Sequence, residues 1–255
     1  MFECRIVLVR PHYPGNVGAT ARAMHNFGLT RLLLVQPLAD PRGEEARRLA
    51  THGEFILDQA EIVPTLGDAV ADCVFAAATS ARTSGVVRQT VTGSVREIMR
   101  QVAASLAHGP AALVFGPEPS GLTTAEIGLC HSLIHIPANP EFSALNLAQA
   151  AAICLYELHQ CRHFGNEVLL DSESPAPISD LDRMYEHLRK GLEEVHFLYG
   201  PKADALMLGL RYLIGRARPT ATEVRILHGL ARQLEWVAAQ PQAAPALDDV
   251  SPDGL

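Results

Sequence analysis

The segment richest in candidate chemistry spans residues 132–157, SLIHIPANPEFSALNLAQAAAICLYE. Its β-branched start predicts a buried strand, a proline-bearing turn ends that strand, and an amphipathic helix is expected from Leu147. The bend between strand and helix carries Glu141, Ser143 and Asn146. Because open α/β sheets bind ligands at the carboxyl ends of their strands, these polar side chains predict a ligand site.

A second candidate is the loop 116–121, GPEPSG, which follows a buried strand. Its paired glycines resemble a phosphate loop, but Leu122 stands where that motif needs lysine, so a nucleotide triphosphatase is not expected. Glu118 lies between two prolines, whose fixed φ angles hold it rigidly. A carboxylate placed in this way is typical of a functional residue, and a turn with an exposed glutamate is the alternative.

The third candidate is Arg22, on a helix predicted to begin after Asn16, which is a good N-cap residue. Gly18 and the alanines beside it leave the first turns bare, so a ligand could approach the backbone. Since helical side chains lean toward the N-terminus, the Arg22 guanidinium is expected to reach toward Asn16. This arrangement predicts an anion or polar-ligand site, and a solvated surface arginine is the alternative.

Other familiar sites have no signature in the sequence. No G-x-G-x-x-G follows a strand and no G-x-S-x-G occurs, so neither a dinucleotide fold nor a nucleophile elbow is predicted. His159 and His163 are four residues apart without a third ligand, which favours an exposed helix face over a metal site. The odd number of cysteines, five without C-x-x-C spacing, indicates neither a disulfide framework nor a zinc ribbon and is compatible with a reducing cytosol.

The elements that must position these residues alternate along residues 1–165. The predicted strands are 5–10, 31–35, 61–63, 73–78, 111–115 and 134–136, and the predicted helices are 17–27, 43–51, 65–72, 94–108, 123–130 and one from 147. Apolar strands that alternate with helices predict an α/β domain with a parallel sheet and helices on both faces.

Composition changes after residue 165. Residues 166–178 contain the polar, proline-bearing run DSESPAP and are predicted to be a linker. Residues 179–239 predict a small all-helical module, whose first helix is expected to be capped by Ser179 and Asp180 and to reach about Tyr199. Residues 240–255, rich in Pro, Ala and Asp, predict a disordered tail.

Composition sets the class of protein. The chain has 255 residues, 48% of them apolar and 19% charged, as in a globular protein with a large core. A net charge of −7 argues against a uniformly basic nucleic-acid coat protein but leaves room for a local basic patch. There is neither a basic segment followed by an apolar leader nor an apolar run long enough for a bilayer, so we expect a cytoplasmic protein without a membrane partner.

Three segments together resemble the SPOUT superfamily of RNA methyltransferases, in its SpoU/TrmH branch. They are NVGATARAM at 16–24, LVFGPEPSGL at 113–122 and IPANPEFSALNLAQA at 136–150. The second and third are most similar to the TrmJ-type tRNA 2′-O-methyltransferases, which act on nucleotide 32 of the anticodon loop. The resemblance implies a C-terminal trefoil knot in the sheet domain, a rare exception to unknotted topology. It also implies an obligate homodimer with each active site at the subunit interface.

The resemblance implies a role for each matching residue. Arg22 would activate the ribose 2′-hydroxyl, Asn16 and Glu118 would shape its surroundings, and Asn146 would hold the loop. The cofactor would be S-adenosyl-L-methionine, which becomes S-adenosyl-L-homocysteine, and no metal is required. The residues implied to cradle it are Thr79, Ser80, Ala81, Gly116, Ile136, Ser143, Ala144 and Leu145. The implied activity is 2′-O-methylation of an RNA ribose, with tRNA nucleotide 32 as the expected target.

Two positions depart from the family pattern. Pro119 stands where TrmJ-like proteins usually have an arginine that contacts phosphate. The third motif normally reads Ser-Leu-Asn, whereas here Ala144 replaces the serine and Ser143 lies one residue earlier. Two alternatives therefore stay open: a catalytically weak, knotted RNA-binding protein and an rRNA 2′-O-methyltransferase.

The helical module contains a local excess of positive charge. Its arginines are Arg211, Arg216, Arg218, Arg225 and Arg232. Only Glu223 opposes them between residues 211 and 232. The cluster predicts an RNA-binding surface that contacts phosphates, and a solvated helix face is the alternative.

Overall fold

The computed structural model describes residues 3–38, 40–81, 92–164 and 174–240. Its strands are β1 (Cys4–Val9), β2 (Leu32–Val35), β3 (Glu61–Val63), β4 (Phe75–Thr79), β5 (Thr92–Ser94), β6 (Ala111–Phe115) and β7 (Ser132–His135). They form one seven-stranded sheet in the order β3-β2-β1-β6-β4-β7-β5, and each neighbouring pair is parallel. The predicted parallel sheet is confirmed.

Strand β5 is an addition to the predicted elements, since Thr92 was assigned to a loop and Ser94 to a helix. It has three residues, Thr-Gly-Ser, and pairs with β7 at the edge of the sheet, with Thr92 opposite Leu133. Such a short edge strand has no apolar alternation from which it could be recognised. Strand β5 is stabilised by backbone pairing with β7, a contact that the local sequence does not reveal.

Helices pack on both faces of the sheet. The described helices are α1 (Pro14–Asn26), α2 (Glu44–Ala50), α3 (Glu54–Gln59), α4 (Leu66–Val70), α5 (Val95–Ser105), α6 (Thr124–Gly128), α7 (Leu147–Phe164), α8 (Ile178–Glu194), α9 (Ala203–Ala217) and α10 (Ala221–Ala238). Because side chains alternate along a strand, Ile6 and Leu8 face α1, α2, α3, α5 and α7, while Val7 and Val9 face α4 and α6. This two-sided burial explains why the strands are apolar throughout.

The predicted start of α1 is wrong. The helix begins at Pro14, with Tyr13 as the N-cap residue, so Asn16 lies inside the first turn. Proline suits the first helical position because its fixed φ angle is helical and an N–H is not needed there. The Asn16 side chain is therefore available for contacts outside its own helix.

The helical module has its own core and also completes the sheet domain. Leu181, Met184 and Leu188 of α8 are buried among residues of α9 and α10. Ile178 and Tyr212 instead pack on the second face of the sheet. The module is thus attached to the sheet through buried apolar contacts.

The predicted cap of α8 is wrong. Pro177 is the N-cap residue, and no side chain caps this end of the helix. Asp180 lies in the first turn, where it pairs with Arg183 at 2.5 Å. The helix ends at Glu194 rather than near Tyr199.

Parts of the predicted organisation lie outside the described residues. These are residues 166–173 of the predicted linker and residues 241–255 of the predicted tail. The trefoil knot stays a prediction. No helix in the described part of the chain has the length and apolarity that crossing a bilayer requires.

Candidate active site

Three loops at the carboxyl edge of the sheet are joined by a chain of hydrogen bonds. Asn16 donates through Nδ2 to Oε1 of Glu118 at 2.7 Å, and the backbone N–H of His12 donates to Oε2 of Glu118 at 3.0 Å. Asn146 donates through Nδ2 to Oδ1 of Asn16 at 2.8 Å. The segments after β1, β6 and β7 are therefore connected through their polar side chains.

Asn146 also begins helix α7. Its Oδ1 accepts hydrogen bonds from the backbone N–H groups of Ala148 at 2.9 Å and Gln149 at 3.4 Å. The Gln149 side chain in turn accepts from the Asn146 N–H at 3.3 Å. This reciprocal arrangement is a capping box, in which the end of the helix holds the Asn146 amide in place. The Nδ2 group thus points to Asn16 from a fixed base.

A cavity of about 240 Å³ lies beside this chain of hydrogen bonds. Glu118 is among the residues that line it. The structure also brings together here all eight residues predicted to cradle a cofactor: Thr79, Ser80, Ala81, Gly116, Ile136, Ser143, Ala144 and Leu145. They come from the end of β4, the loop after β6 and the bend after β7, so three separate segments form one site.

Gly116 lets the loop after β6 close tightly against the cavity. A Cβ atom at this position would lie 2.5 Å from the backbone nitrogen of Leu122 and 2.7 Å from the carbonyl carbon of Gly121. Gly121 has φ +68°, in the left-handed region that glycine adopts without strain, and its N–H donates to the Pro117 carbonyl at 2.8 Å. Both glycines are therefore required by the backbone of the loop itself.

Comparison with protein families shows which family the chain belongs to. Residues 3–156 match the SpoU rRNA Methylase family, and residues 179–244 match the C-terminal domain of tRNA methyltransferase TrmJ. The chain belongs to the SpoU rRNA methylase family. The resemblance drawn from the three sequence motifs is confirmed.

Individual SpoU-type relatives match nearly the whole chain. A tRNA (cytidine/uridine-2′-O-)-methyltransferase TrmJ from Yersinia pestis (strain Pestoides F) is 40% identical over 247 residues, 95% of each chain. The crystal structure of TrmJ from Z. mobilis ZM4 is 34% identical, with a TM-score of 0.78 over 91% of this chain and 98% of that one. A probable methylase family protein from Haemophilus influenzae Rd KW20 is 33% identical, with a TM-score of 0.61 over 93% and 98%.

The lining of this SpoU-family cavity fits S-adenosylmethionine. Ile134, Ile136 and Leu145 provide apolar walls for a flat base. Ser80 and Ser143 provide hydroxyl groups, and the Glu118 carboxylate is a counter-charge for a cationic ligand. These residues would hold an amphipathic ligand with an apolar ring and a positive centre.

Arg22 lies apart from the cavity of its own SpoU domain. The side chain is exposed, and within the described part of the chain its guanidinium forms no hydrogen bond or ion pair. Within the described residues the Asn16 side chain bonds to Glu118 and Asn146 and not to Arg22. Six residues of α-helix place Arg22 and Asn16 about 120° apart around the axis. The catalytic role of Arg22 stays a prediction.

The glycine at position 18 of α1 has a structural reason. A Cβ atom at Gly18 would lie 2.0 Å from the carbonyl oxygen of Ala46, in α2. The expectation that a ligand approaches this backbone is wrong, because helix α2 occupies the space. Gly18 instead permits close packing of two helices.

The five arginines of the helical module do not share one environment. Arg211 pairs with Asp182 and lies 4.6 Å from the centre of the Tyr185 ring. Arg218 donates to Oγ of the buried Ser105 at 2.6 Å. The remaining three are exposed: Arg216, Arg225 and Arg232. Arg211 and Arg218 thus stabilise the fold through contacts within the chain.

Sequence reasoning missed an ion pair at the end of β1. Arg10 donates two hydrogen bonds to Glu126 of α6, at 2.5 and 3.1 Å. Burial raises the pKa of Glu126, but the hydrogen bonds from Arg10 and from the Thr123 backbone outweigh burial and lower it overall. The T-x-x-E pattern that begins α6 was a signal for the Thr123 contact but not for Arg10.

Histidine and acidic residues give no sign of a metal centre in the described part of the chain. His159 and His163 have ring centres 4.3 Å apart, and His159 also packs near Phe27 at 5.7 Å. No three His, Cys, Asp or Glu side chains come together as a ligand set among the residues that the structure describes.

Proposed function

We propose that this chain transfers a methyl group from S-adenosylmethionine to the ribose 2′-hydroxyl of a tRNA, at nucleotide 32 of the anticodon loop. The observation that carries the proposal is the cavity beside the hydrogen-bonded residues Asn16, Glu118 and Asn146. Supporting it is 40% identity, over 95% of each chain, to a protein named as a tRNA (cytidine/uridine-2′-O-)-methyltransferase.

The cofactor supplies a methyl group on a positively charged sulfur, which needs no further activation by the protein. The chain must place the ribose oxygen in line with that methyl group and stabilise the oxygen as its proton passes to solvent water. Glu118, held by Asn16 and the His12 backbone, presents a fixed negative charge at the cavity. Because the Glu118 carboxylate is already fixed in position, it does not have to reorient during the reaction.

Arg22 serves the RNA ribose rather than the cofactor in this proposal. Its guanidinium has donors only and stays protonated, so it stabilises developing negative charge on the 2′-oxygen. Arg22 is exposed and does not line the cavity of its own subunit, so in this proposal it acts on a ribose bound at the cavity of a second subunit. We propose a homodimer, with each active site at the subunit interface.

We also propose two domains for the chain and a cytoplasmic location. Residues 1–165 form the methyltransferase domain and residues 179–239 the module that binds RNA, in the cytoplasm. Deletion of the module is a poor test, because Tyr212 packs on one face of the sheet and its loss would expose apolar residues there. Substitutions at exposed arginines leave that packing intact.

Methyl transfer to bulk tRNA tests the activity directly. The full chain is incubated with methyl-labelled S-adenosylmethionine and, in parallel reactions, with tRNA or with rRNA, and the modified nucleotide is mapped by nuclease digestion and mass spectrometry. We expect label on the 2′-oxygen of nucleotide 32. Label on another tRNA nucleotide would leave the reaction standing and overturn the position, whereas label on rRNA alone would favour the rRNA alternative.

A catalytically weak RNA-binding protein is the second candidate, and Ala144 favours it. Ala144 and Ser143 both line the cavity, so Ser143 brings a hydroxyl group next to the position of the family serine. The variant Ala144→Ser should raise the rate of methyl transfer, and Ser143→Ala should lower it if Ser143 replaces the family serine. Binding of cofactor and tRNA without transfer by either the natural chain or Ala144→Ser would favour the binding protein.

A further inference from the structure

Helix α10 presents an exposed tryptophan beside two exposed arginines. Trp236 is the only tryptophan of the chain, and 58% of it is accessible to solvent. Arg225 and Arg232 are exposed on the same helix, with Gly229 between them. We call Arg225, Gly229, Arg232 and Trp236 the α10 strip.

The spacing of the strip places its members on one side of the helix. Steps of four, three and four residues keep all four within about 60° of one another around the axis, over a length of about 16 Å. Val224 and Ala231 occupy the opposite side and are buried against the module core. The strip therefore faces away from the rest of the chain.

Gly229 gives the Arg232 side chain room in the middle of the strip. The Nη2 atom of Arg232 lies 3.9 Å from where a Cβ atom of Gly229 would stand, so the guanidinium lies over the glycine. The charge of Arg232 is therefore at the middle of the strip.

The charge of the strip is positive. Glu223, one of the two acidic residues of α10, caps the start of the helix with Thr220, and Glu235 pairs with Lys190 of α8 at 3.1 Å. Arg225 donates to the Thr222 hydroxyl at 3.0 Å. Within the described chain Arg232 has no hydrogen bond or ion pair, so its charge is available to a ligand.

We infer that the α10 strip binds an unpaired segment of the RNA substrate, with Trp236 stacking on a base and Arg225 and Arg232 contacting phosphates. Unpaired bases are recognised by stacking on aromatic side chains next to a positively charged surface. This inference rests on the proposed function, since it assumes an RNA substrate.

A second copy of the chain fits the strip less well. A symmetric contact pairs the same patch on both subunits, so it would place Arg225 and Arg232 of both copies in one interface. Like charges without counter-ions at an interface are unfavourable. The apolar residues Ile226, Leu230 and Val237 are exposed on the adjoining side of the helix and are the more suitable surface for a protein.

The single tryptophan allows a direct test by fluorescence. The full chain is titrated with bulk tRNA and with single-stranded oligouridylate, and the emission of Trp236 is followed. We expect quenching by both RNAs. Both substitutions at Trp236 remove the fluorophore, so RNA affinities of all variants are measured by filter binding of labelled RNA. Trp236→Leu should bind each RNA about tenfold more weakly and Trp236→Phe nearly as well as the natural chain, because the phenyl ring still stacks. Ile226→Ala, on the adjoining side of α10, is the matched control and should leave RNA affinity unchanged.

The salt dependence of binding tests the arginines separately. In the double variant Arg225→Gln, Arg232→Gln, the slope of log Kd against log salt should fall by about 0.7 for each lost phosphate contact. The double variant Arg48→Gln, Arg96→Gln, in exposed parts of the sheet domain, should keep the natural slope. An unchanged slope in the α10 variant would overturn the phosphate contacts.

Two further outcomes would overturn the inference as a whole. Trp236 emission that does not change while tRNA saturates the protein would show that the base does not reach the strip. A change in sedimentation coefficient of Trp236→Leu without RNA would show that a second copy covers the strip. These outcomes can be told apart from a failure of the proposed function. Methyl transfer without quenching would overturn only this inference. Quenching without methyl transfer would leave the strip as an RNA site in a protein of different activity.

Discussion

The side chain of Asn16 donates a 2.7 Å hydrogen bond to Glu118, 102 residues further along the chain. Asn146 adds the third member through a 2.8 Å bond to Asn16. Asn16 therefore links the Glu118 carboxylate to Asn146, the N-cap residue of helix α7. These bonds hold the two residues in position relative to each other.

Replacing Asn16 by Ala should abolish most methyl transfer, because Glu118 and Asn146 lose their common partner. We expect a stability loss of about 1 kcal/mol, since both hydrogen bonds are partly exposed. Methyl transfer and thermal unfolding are measured together. Asn26→Ala, at the exposed end of the same helix, should change neither. Normal turnover of Asn16→Ala would mean that the hydrogen bonds serve the fold alone.

Replacing Gly116 by Ala should weaken cofactor binding by about tenfold or more. The added Cβ would stand 2.5 Å from the Leu122 nitrogen, so the loop must move into or away from the cavity. Binding of S-adenosylhomocysteine by calorimetry is the measurement. Gly209→Ala is the control, because a Cβ there meets no atom within 4 Å, and it should bind the cofactor product normally.

Arg22→Ala should separate binding from catalysis. We expect an unchanged affinity for S-adenosylhomocysteine and a loss of about 100-fold in turnover, since the guanidinium acts on the ribose oxygen. Arg48→Ala, an exposed arginine of α2, serves as control and should retain full turnover. If Arg22→Ala turned over as fast as the control, Arg22 would be a surface residue only.

Arg218→Lys should loosen the helical module from the sheet domain. The guanidinium stacks over Phe75 at 5.1 Å from the ring centre and donates to Ser105, whereas a lysine ammonium is a single point charge. We expect a cost of about 1–2 kcal/mol and faster amide exchange in α9. Arg216→Lys, at an exposed arginine, should exchange like the natural chain.

His131 should make stability depend on pH. Burial and the charge of Arg218 lower the pKa of His131 from 6.5 to about 4. Between these values the unfolded chain binds the extra proton, so the stabilisation is complete above pH 6.5 and is lost as pH falls toward 4.

The slope due to His131 should approach about 1.4 kcal/mol per pH unit within that window. Urea unfolding of the natural chain and of His131→Phe, which preserves ring stacking on Phe75, measures it. The difference in stability between the two should narrow as pH falls. Parallel curves for His131→Phe would show that His131 titrates normally.

The sequence by itself determined the parallel sheet and the family. Buried parallel strands are continuously apolar, as in Ala111–Phe115, and turns carry proline and glycine, so local composition is enough to locate them. The three motifs are also local, and each stands next to a strand end. Their position at one edge of the sheet follows from parallel topology.

Only the tertiary structure decided which groups contact one another. Gly18 was read as an opening for a ligand, but it packs against Ala46, and Arg218 was read as a surface charge, but it contacts Ser105. The partners in these pairs lie far apart in the chain, and no local pattern records which helix covers which turn. The bond between Asn16 and Glu118 depends in the same way on the register of a helix that begins at Pro14. Such contacts are decided by packing, because the free energy that selects them comes from burial and hydrogen bonding between distant segments rather than from local propensity.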